Sequence, residues 1–152
     1  SYERSKQLHI SGSLSSQSLN SAPPCIKLYD HLKTYSKRYG VPFHIAFGVA
    51  KKETSYGGPF DWRYNPALTS CANAYGAMQL QAPTASDVWK RKVTKKELLT
   101  NLEFNVHTSM KLLSMLHKRY GSWEVALGCY NTGRPIVNGY ARTITKGRLT
   151  NI

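Results

Sequence analysis

Leu102, Val106, Met110, Leu113, Leu116 and Tyr120 recur in steps of three and four, the period of one helix face carried through about five turns. This is the longest periodic segment of the chain, and it reads as a core face, Met110 included. Gly121 ends it, since glycine takes the left-handed conformation easily after a last turn. No segment alternates apolar and polar residues at period two between turn signals, the pattern of a half-buried strand. The expected fold class is mainly α.

The remaining segments fit that class. Ile26, Tyr29, Leu32, Tyr35 and Tyr39 trace an amphipathic helix stopped by Gly40. Pro42 suits the first position of a second helix from Phe43 to about Ser55, ended by Gly57-Gly58-Pro59. Ala82-Pro83-Thr84 opens a short helix through Trp89, and Thr94 with Glu97 makes a capping box for another. Asn101 caps the long helix, and Ser122 caps one carrying Trp123, Ala126, Leu127 and Tyr130. Pro135 is expected to open a last helix with Ile136, Tyr140 and Ile144 on one face. Residues 57–73 read as a long loop, and such loops in compact domains are usually functional or disordered. Its aromatic residues and its place directly after Glu53 favour function. Residues 74–81 are too short and mixed to read as helix or strand, and a short β element is expected in the 60s to 70s. Residues 1–24 are Ser-rich, lack a sustained period and close on Pro23-Pro24. They read as a flexible N-terminal linker ahead of a folded domain spanning residues 25–152.

At 152 residues with 41% hydrophobic content, the chain suits one domain with one core. No apolar run is long enough to span a membrane as a helix. Ser1 rather than Met begins the chain, so a mature or trimmed form is expected, with any export signal or anchor already missing. The net charge of +13 favours anionic partners: nucleic acid, anionic membranes or carboxylate-bearing wall polymers. The densest cluster, Lys90-Arg91-Lys92-Val93-Thr94-Lys95-Lys96, has no aromatic residue interleaved for base stacking and reads as solvated surface. The three cysteines, Cys25, Cys71 and Cys129, include no C-x-x-C pair, which argues against a zinc or thioredoxin-like site. One disulfide with a free thiol and three buried thiols both remain open.

Glu53 draws the chemical reading. It continues the stripe Ile45-Val49-Glu53, so an acid lies on a face expected to point inward. Burial disfavours the charged carboxylate and raises its pKa, which suits a proton donor near neutral pH. The plain alternative is a helix-end Glu satisfied by a lysine or a backbone amide. The other acids are few: Glu3, Asp30, Asp61, Asp87, Glu97, Glu103 and Glu124, of which only Asp61 lies in the loop after Glu53. Most glycosidases need two carboxylates. A sugar-cleaving mechanism with one must recruit its nucleophile from the substrate.

Five short motifs in order then carry a resemblance: Glu53-Thr54-Ser55; Tyr64-Asn65-Pro66-Ala67 with Ser70; Gly76-Ala77-Met78-Gln79-Leu80; Thr84-Ala85; and Cys129-Tyr130-Asn131-Thr132-Gly133. Together they resemble the motif series of the soluble lytic transglycosylase (SLT) family, over about residues 26–145. The resemblance implies a lysozyme-like domain of about six to seven helices, with a long loop or short β element around residues 57–80. It implies non-hydrolytic cleavage of the MurNAc-β-1,4-GlcNAc bond of peptidoglycan to a 1,6-anhydro-MurNAc end, with Glu53 as the single general acid and base. Ser70 and Gln79 would orient the sugar, Met78 would wall a subsite, Tyr130 and Asn131 would line the cleft, and the Tyr140 hydroxyl would position Glu53. Each has an ordinary reading beside it: Met78 and Tyr140 as core, Ser70 as a turn residue, Asn131 as a helix C-cap.

No metal or other cofactor is expected. The implied partner is the glycan strand, within a cell-wall, secretion or conjugation assembly, and the implied place is the periplasm or cell envelope. A monomer that does not bind nucleic acid is expected. Thr54, Ala77 and Cys129 stand where the family pattern has Ser, Leu and Ala. A Cys71–Cys129 disulfide and a sugar-stacking role for Trp62 are further expectations. Two competing readings are a goose-type lysozyme-like hydrolase, which needs a second acid near the cleft, and a non-catalytic glycan-binding module. A basic nucleic-acid-binding domain is motivated by charge alone.

Overall fold

The computed structural model describes residues 16–147. Among them are the helices α1 (Ser16–Ser21), α2 (Pro24–Tyr39), α3 (Phe43–Thr54), α4 (Ala82–Trp89), α5 (Lys95–Thr100), α6 (Leu102–Tyr120), α7 (Trp123–Thr132) and α8 (Gly139–Thr145). Two-residue strands β1 (Ala74–Tyr75) and β2 (Leu80–Gln81) pair antiparallel before α4. The fold is mainly α, as the periodicity requires.

Helix α6 is the hub: α2, α4, α5 and α7 all pack on it. Val106, Met110 and Leu113 of its stripe are fully buried, and Leu116 and Tyr120 are half-buried towards its end. Helix α3 lies between α2 and α8, and α8 rests on α7. Among the described residues, most buried apolar side chains fall into two clusters. The larger holds α2, α3, α6 and the faces of α7 and α8 that meet them, and the smaller lies under the hairpin and α4. Tyr130 packs against both, which places the end of α7 at the seam between them.

Local signals act where expected. Thr94 and Glu97 form the reciprocal capping box of α5, and the Asn101 and Ser122 side chains accept from the third backbone N–H of α6 and α7. The expected opening of the last helix needs correcting. The last helix opens at Gly139, capped by Asn138, and not at Pro135. Segment 135–137 is held out of helix because the Ile136 carbonyl packs onto Gly128 of α7, where a Cβ would collide with it. Glycine at 128 therefore lets a non-helical strand of chain lie against the helix, and Ile136 and Val137 stay exposed. Helix α3 ends at Thr54, with Ser55 in the left-handed region at φ 59°. The β hairpin spans residues 74–81, with an isolated bridge from Thr69 to Tyr75 the one β contact in the 60s among the described residues.

Of the expected linker, residues 1–15 lie outside the described residues. Residues 16–21 form α1 against α2, and Ala22 packs on the larger cluster. A helix this short draws its stability from that packing, not from propensity, which is why no period announced it. The expected Cys71–Cys129 disulfide is not formed: all three thiols are free.

Candidate active site

A cleft of about 420 Å³ follows the seam between the two clusters. Its walls are Glu53 from the end of α3, Ser70, Ala72 and Ala74 from the loop and β1, residues 79–81 of the hairpin, Thr84 of α4, Leu112 and Leu116 of α6, and residues 129–133 from the end of α7. Glu53 is the single titratable carboxyl in this lining.

Ile45 and Val49, one and two turns before Glu53, are buried, so α3 presents the acid at the inner end of its apolar stripe. The carboxyl is half-buried, and desolvation raises its pKa above the ordinary 4.5. The Tyr140 hydroxyl donates to Oε2 at 2.7 Å and opposes that rise by favouring the charged form. Burial, and then the Glu53 charge, push the Tyr140 and Tyr130 phenols far above their usual range, so both stay protonated. Tyr130 gives its one proton to the Met78 carbonyl at 2.7 Å, so at the 2.8 Å contact the Ser109 hydroxyl is the donor.

Of the residues singled out in the sequence, Glu53, Ser70, Gln79, Tyr130 and Asn131 meet in the cleft, and Tyr140 reaches it through Glu53. Ser70 also serves its turn: its Oγ accepts from the Ala72 and Ala74 backbone N–H groups at 3.2 Å. Gln79 sits in the left-handed region at φ 52°, a conformation that costs a non-glycine residue about 1–2 kcal/mol. Its side-chain nitrogen donates to the Leu68 and Gly76 carbonyls, both at 3.1 Å, which pins the amide and leaves its oxygen as the group able to accept from a ligand. Met78 is placed differently from a subsite wall. Its side chain has no exposed surface and belongs to the larger core cluster, so its link to the site is the backbone carbonyl that Tyr130 holds. Asn131 accepts from the Asn138 side-chain nitrogen at 3.0 Å, and Asn138 in turn caps α8, the helix that carries Tyr140. Trp62 is 58% exposed and is not part of the cleft lining. Asp61 is also absent from the lining: its carboxylate accepts from the Gly57 backbone N–H at 3.0 Å.

Residues 30–147 match the family described as Transglycosylase SLT domain. The chain belongs to that family. No curated protein matches its sequence. Among solved structures, the fold is similar to an inactive mutant of the lytic transglycosylase Slt from Pseudomonas aeruginosa, with a TM-score of 0.56 and 20% identity over 67% of this chain and 16% of that one. It is similar also to the 70 kDa soluble lytic transglycosylase of Escherichia coli, with a TM-score of 0.58 and 24% identity over 78% of this chain and 18% of that one. The 70-kDa soluble lytic transglycosylase in complex with bulgecin A gives 0.57 and 22% over the same shares. At these identities the likeness is one of fold, and this chain spans less than a fifth of those proteins' length.

Within this SLT domain, two supports of the site have no role implied by the motif series: Asn105 lies outside it, and Thr54 stands in it only as a departure from Ser. Asn105 is fully buried on α6, donates to the Tyr75 and Leu98 carbonyls at 3.0 Å and accepts from the Met78 N–H at 2.9 Å. One amide thus holds the turn between β1 and β2 that delivers Met78 and Gln79. Gly76 permits it: φ is +80°, and a Cβ there would strike the Asn105 amide and the Leu98 carbonyl. The second support is Thr54, whose hydroxyl meets Tyr64 Oη at 2.6 Å, the Ala77 carbonyl at 2.9 Å and the Ala50 carbonyl at 3.2 Å. It ties the helix of Glu53 to both the long loop and the hairpin turn. The only sequence signal was an Asn set beside an apolar stripe and a hydroxyl next to the acid.

Proposed function

We propose that this domain is a peptidoglycan lytic transglycosylase that cleaves the MurNAc-β-1,4-GlcNAc bond without water and leaves a 1,6-anhydro-MurNAc end. The observation that carries the reading is the lone carboxyl of the cleft, half-buried, raised in pKa and held by Tyr140. Glu53 begins protonated and gives its proton to the glycosidic oxygen, so the GlcNAc side leaves as an alcohol. The MurNAc N-acetyl oxygen shields the positive charge developing at C1. The C6 hydroxyl of the same MurNAc attacks C1, and its proton passes to the Glu53 carboxylate. The acid is regenerated, one C–O bond replaces another, and no second carboxylate is required.

Supporting roles follow from the contacts. The Gln79 oxygen faces the sugar as an acceptor, with Ser70 and Asn131 as further polar groups of the wall. Tyr130 and Tyr140 shape the pocket of the acid. Residues 25–152 form the catalytic domain, acting on the glycan strands of the cell envelope. A hydrolytic mechanism is the weaker reading, since Asp61, the acid that would hold the water, is engaged by Gly57.

Product analysis on purified sacculi tests the proposal. Anhydro ends released by the parent and absent with Glu53→Gln are expected. Hydrated reducing ends would replace it with the lysozyme-like hydrolase. Binding without cleavage by either protein would replace it with the glycan-binding module.

A further inference from the structure

The excess positive charge of this protein is not in its cleft, whose lining includes no lysine or arginine. Part of it is organised on another face of α6. Successive helical residues turn by about 100°, so the row Glu103-His107-Lys111 lies well round the helix from Leu112 and Leu116, with His107 and Leu112 about 140° apart. On that row the structure builds an array that the sequence spacing hides. His107 stacks on Tyr35 with centroids 4.4 Å apart and meets the Trp89 ring edge-on at 4.9 Å. Its Nε2 lies 2.7 Å from the Tyr39 hydroxyl, and Trp89 stacks in turn on Phe104. Three cations cap this array: Arg38 over Tyr35 at 4.8 Å, Lys111 over Trp89 at 4.3 Å and Arg91 over Phe104 at 5.3 Å.

Two carboxylates lie within it, and both are engaged. Glu103 accepts from the Tyr35 hydroxyl at 2.7 Å, and Glu97 pairs with Arg91 at 3.0 Å. Lys90 and Lys92 flank Arg91 and are exposed. The array is therefore net basic. Burial foremost, then the nearness of Arg38 and Lys111, holds the His107 imidazole below its usual pKa, so it does not supply the charge near neutral pH.

We propose that this ring-backed basic face binds carboxylates of the peptidoglycan stem peptides, on a strand other than the one in the cleft. The inference rests on the cell-wall reading of the site. Three features favour a carboxylate polymer over nucleic acid. The ring faces are covered by cations or by other rings, so bases find no free stacking platform. Cations resting on aromatic faces are held ready, which lowers the entropy lost when a small anion binds. Guanidinium groups suit the planar fork of a carboxylate. Because the face is turned away from the cleft, the domain can hold one strand while cutting another.

The test is binding to purified sacculi with Glu53→Gln present throughout, so that nothing is cleaved. Adding Arg38→Gln and Lys111→Gln together is expected to weaken binding about tenfold at low salt, two exposed pairs of ordinary strength. Sacculi whose carboxyls have been amidated are expected to bind the Arg38/Lys111 parent equally poorly. Lys111→Arg is expected to retain binding, which separates charge from packing. Unchanged binding by the double variant, or no effect of amidation, overturns the proposal. Loss of duplex DNA binding with sacculus binding intact also overturns it and assigns the face to nucleic acid. In the background with Glu53 intact, the double variant is expected to cut short soluble glycans at the parent rate. Failure of the parent to cut them strikes the cell-wall enzyme reading and leaves the binding result standing by itself.

Discussion

Tyr140 Oη and Glu53 Oε2 lie 2.7 Å apart although 87 positions separate them in the chain. Two opposite influences meet at that carboxyl. Desolvation raises its pKa, and the phenol, which stays protonated, pulls it back. A group that must first give and then recover a proton works best when neither form is strongly preferred. Helix α8 supplies the phenol, Asn138 caps that helix, and Asn131 of the cleft wall holds Asn138. The acid is thus set by a chain of contacts running round the cleft.

Removing the Tyr140 hydroxyl should therefore alter the pH profile as well as the rate. Tyr140→Phe deletes the influence that lowers the Glu53 pKa and leaves desolvation unopposed. In the proposed mechanism the free enzyme needs Glu53 protonated, so activity should fall as pH rises through its pKa. With that pKa higher, the descending alkaline limb of kcat/KM is expected to move to higher pH. The rate at the optimum should drop by up to about a hundredfold, because the carboxyl loses its fixed pose. A pH–rate series on sacculi reads both effects, and an unmoved limb would show that the hydroxyl does not act on the acid.

The same carboxyl should cost the fold stability at neutral pH. Its folded pKa lies above the ordinary 4.5, so the folded chain holds this proton more tightly than the unfolded chain. That contribution is complete below the ordinary value and is lost as pH rises through the folded pKa. Glu53→Gln cannot ionise and does not lose it. The variant is expected to melt above the parent at about pH 7, with the gap closing as the pH falls below the ordinary carboxyl range. Parallel melting curves across that range would contradict the raised pKa.

Asn105 should be the costliest buried polar residue to alter. Asn105→Ala leaves two carbonyls and one N–H of the hairpin turn without their partner, each worth about 1–3 kcal/mol when buried. A loss of about 3 kcal/mol or more is expected in urea unfolding. Asn105→Asp keeps the acceptor for Met78 but turns a carboxylate towards two carbonyl oxygens. Its carboxyl pKa should be driven up, so this variant should recover stability as pH is lowered, whereas Asn105→Ala should not. Equal pH dependence of the two would refute the assigned amide orientation.

Helical period, caps and the motif order made most of this legible in the sequence, because each depends on residues within one turn of one another. The stripe of α6 and the boxes at Thr94, Asn101 and Ser122 needed no tertiary knowledge. What was not legible depends on distant contacts. Pro135 is an ordinary helix opener, but Gly128 draws residues 135–137 onto α7 and the opening moves to Asn138. Met78 stands beside Gln79 in a motif, yet the turn held by Asn105 sends its side chain to the core and Gln79 to the cleft. The basic run at residues 90–96 has one aromatic neighbour in sequence, Trp89, and its other rings arrive from α2 and α6.

The three thiols provide a last check, because each occupies a different environment. Cys25 is buried at the start of α2, and burial raises its pKa. Cys71 is exposed in the turn after Ser70, and Cys129 is half-buried in the cleft lining. Thiolates, not thiols, react with alkylating reagents, so access and pKa together set the order. Cys71 is expected to label first, Cys129 more slowly, and Cys25 only at the rate of unfolding. Saturating glycan, offered to the Glu53→Gln protein, should protect Cys129 while leaving Cys71 far less affected. Unfolding without reductant should yield three reactive thiols, and a count of one would contradict the free state of the cysteines. Cys129 labelling that ignores the glycan would place the substrate elsewhere than in this cleft.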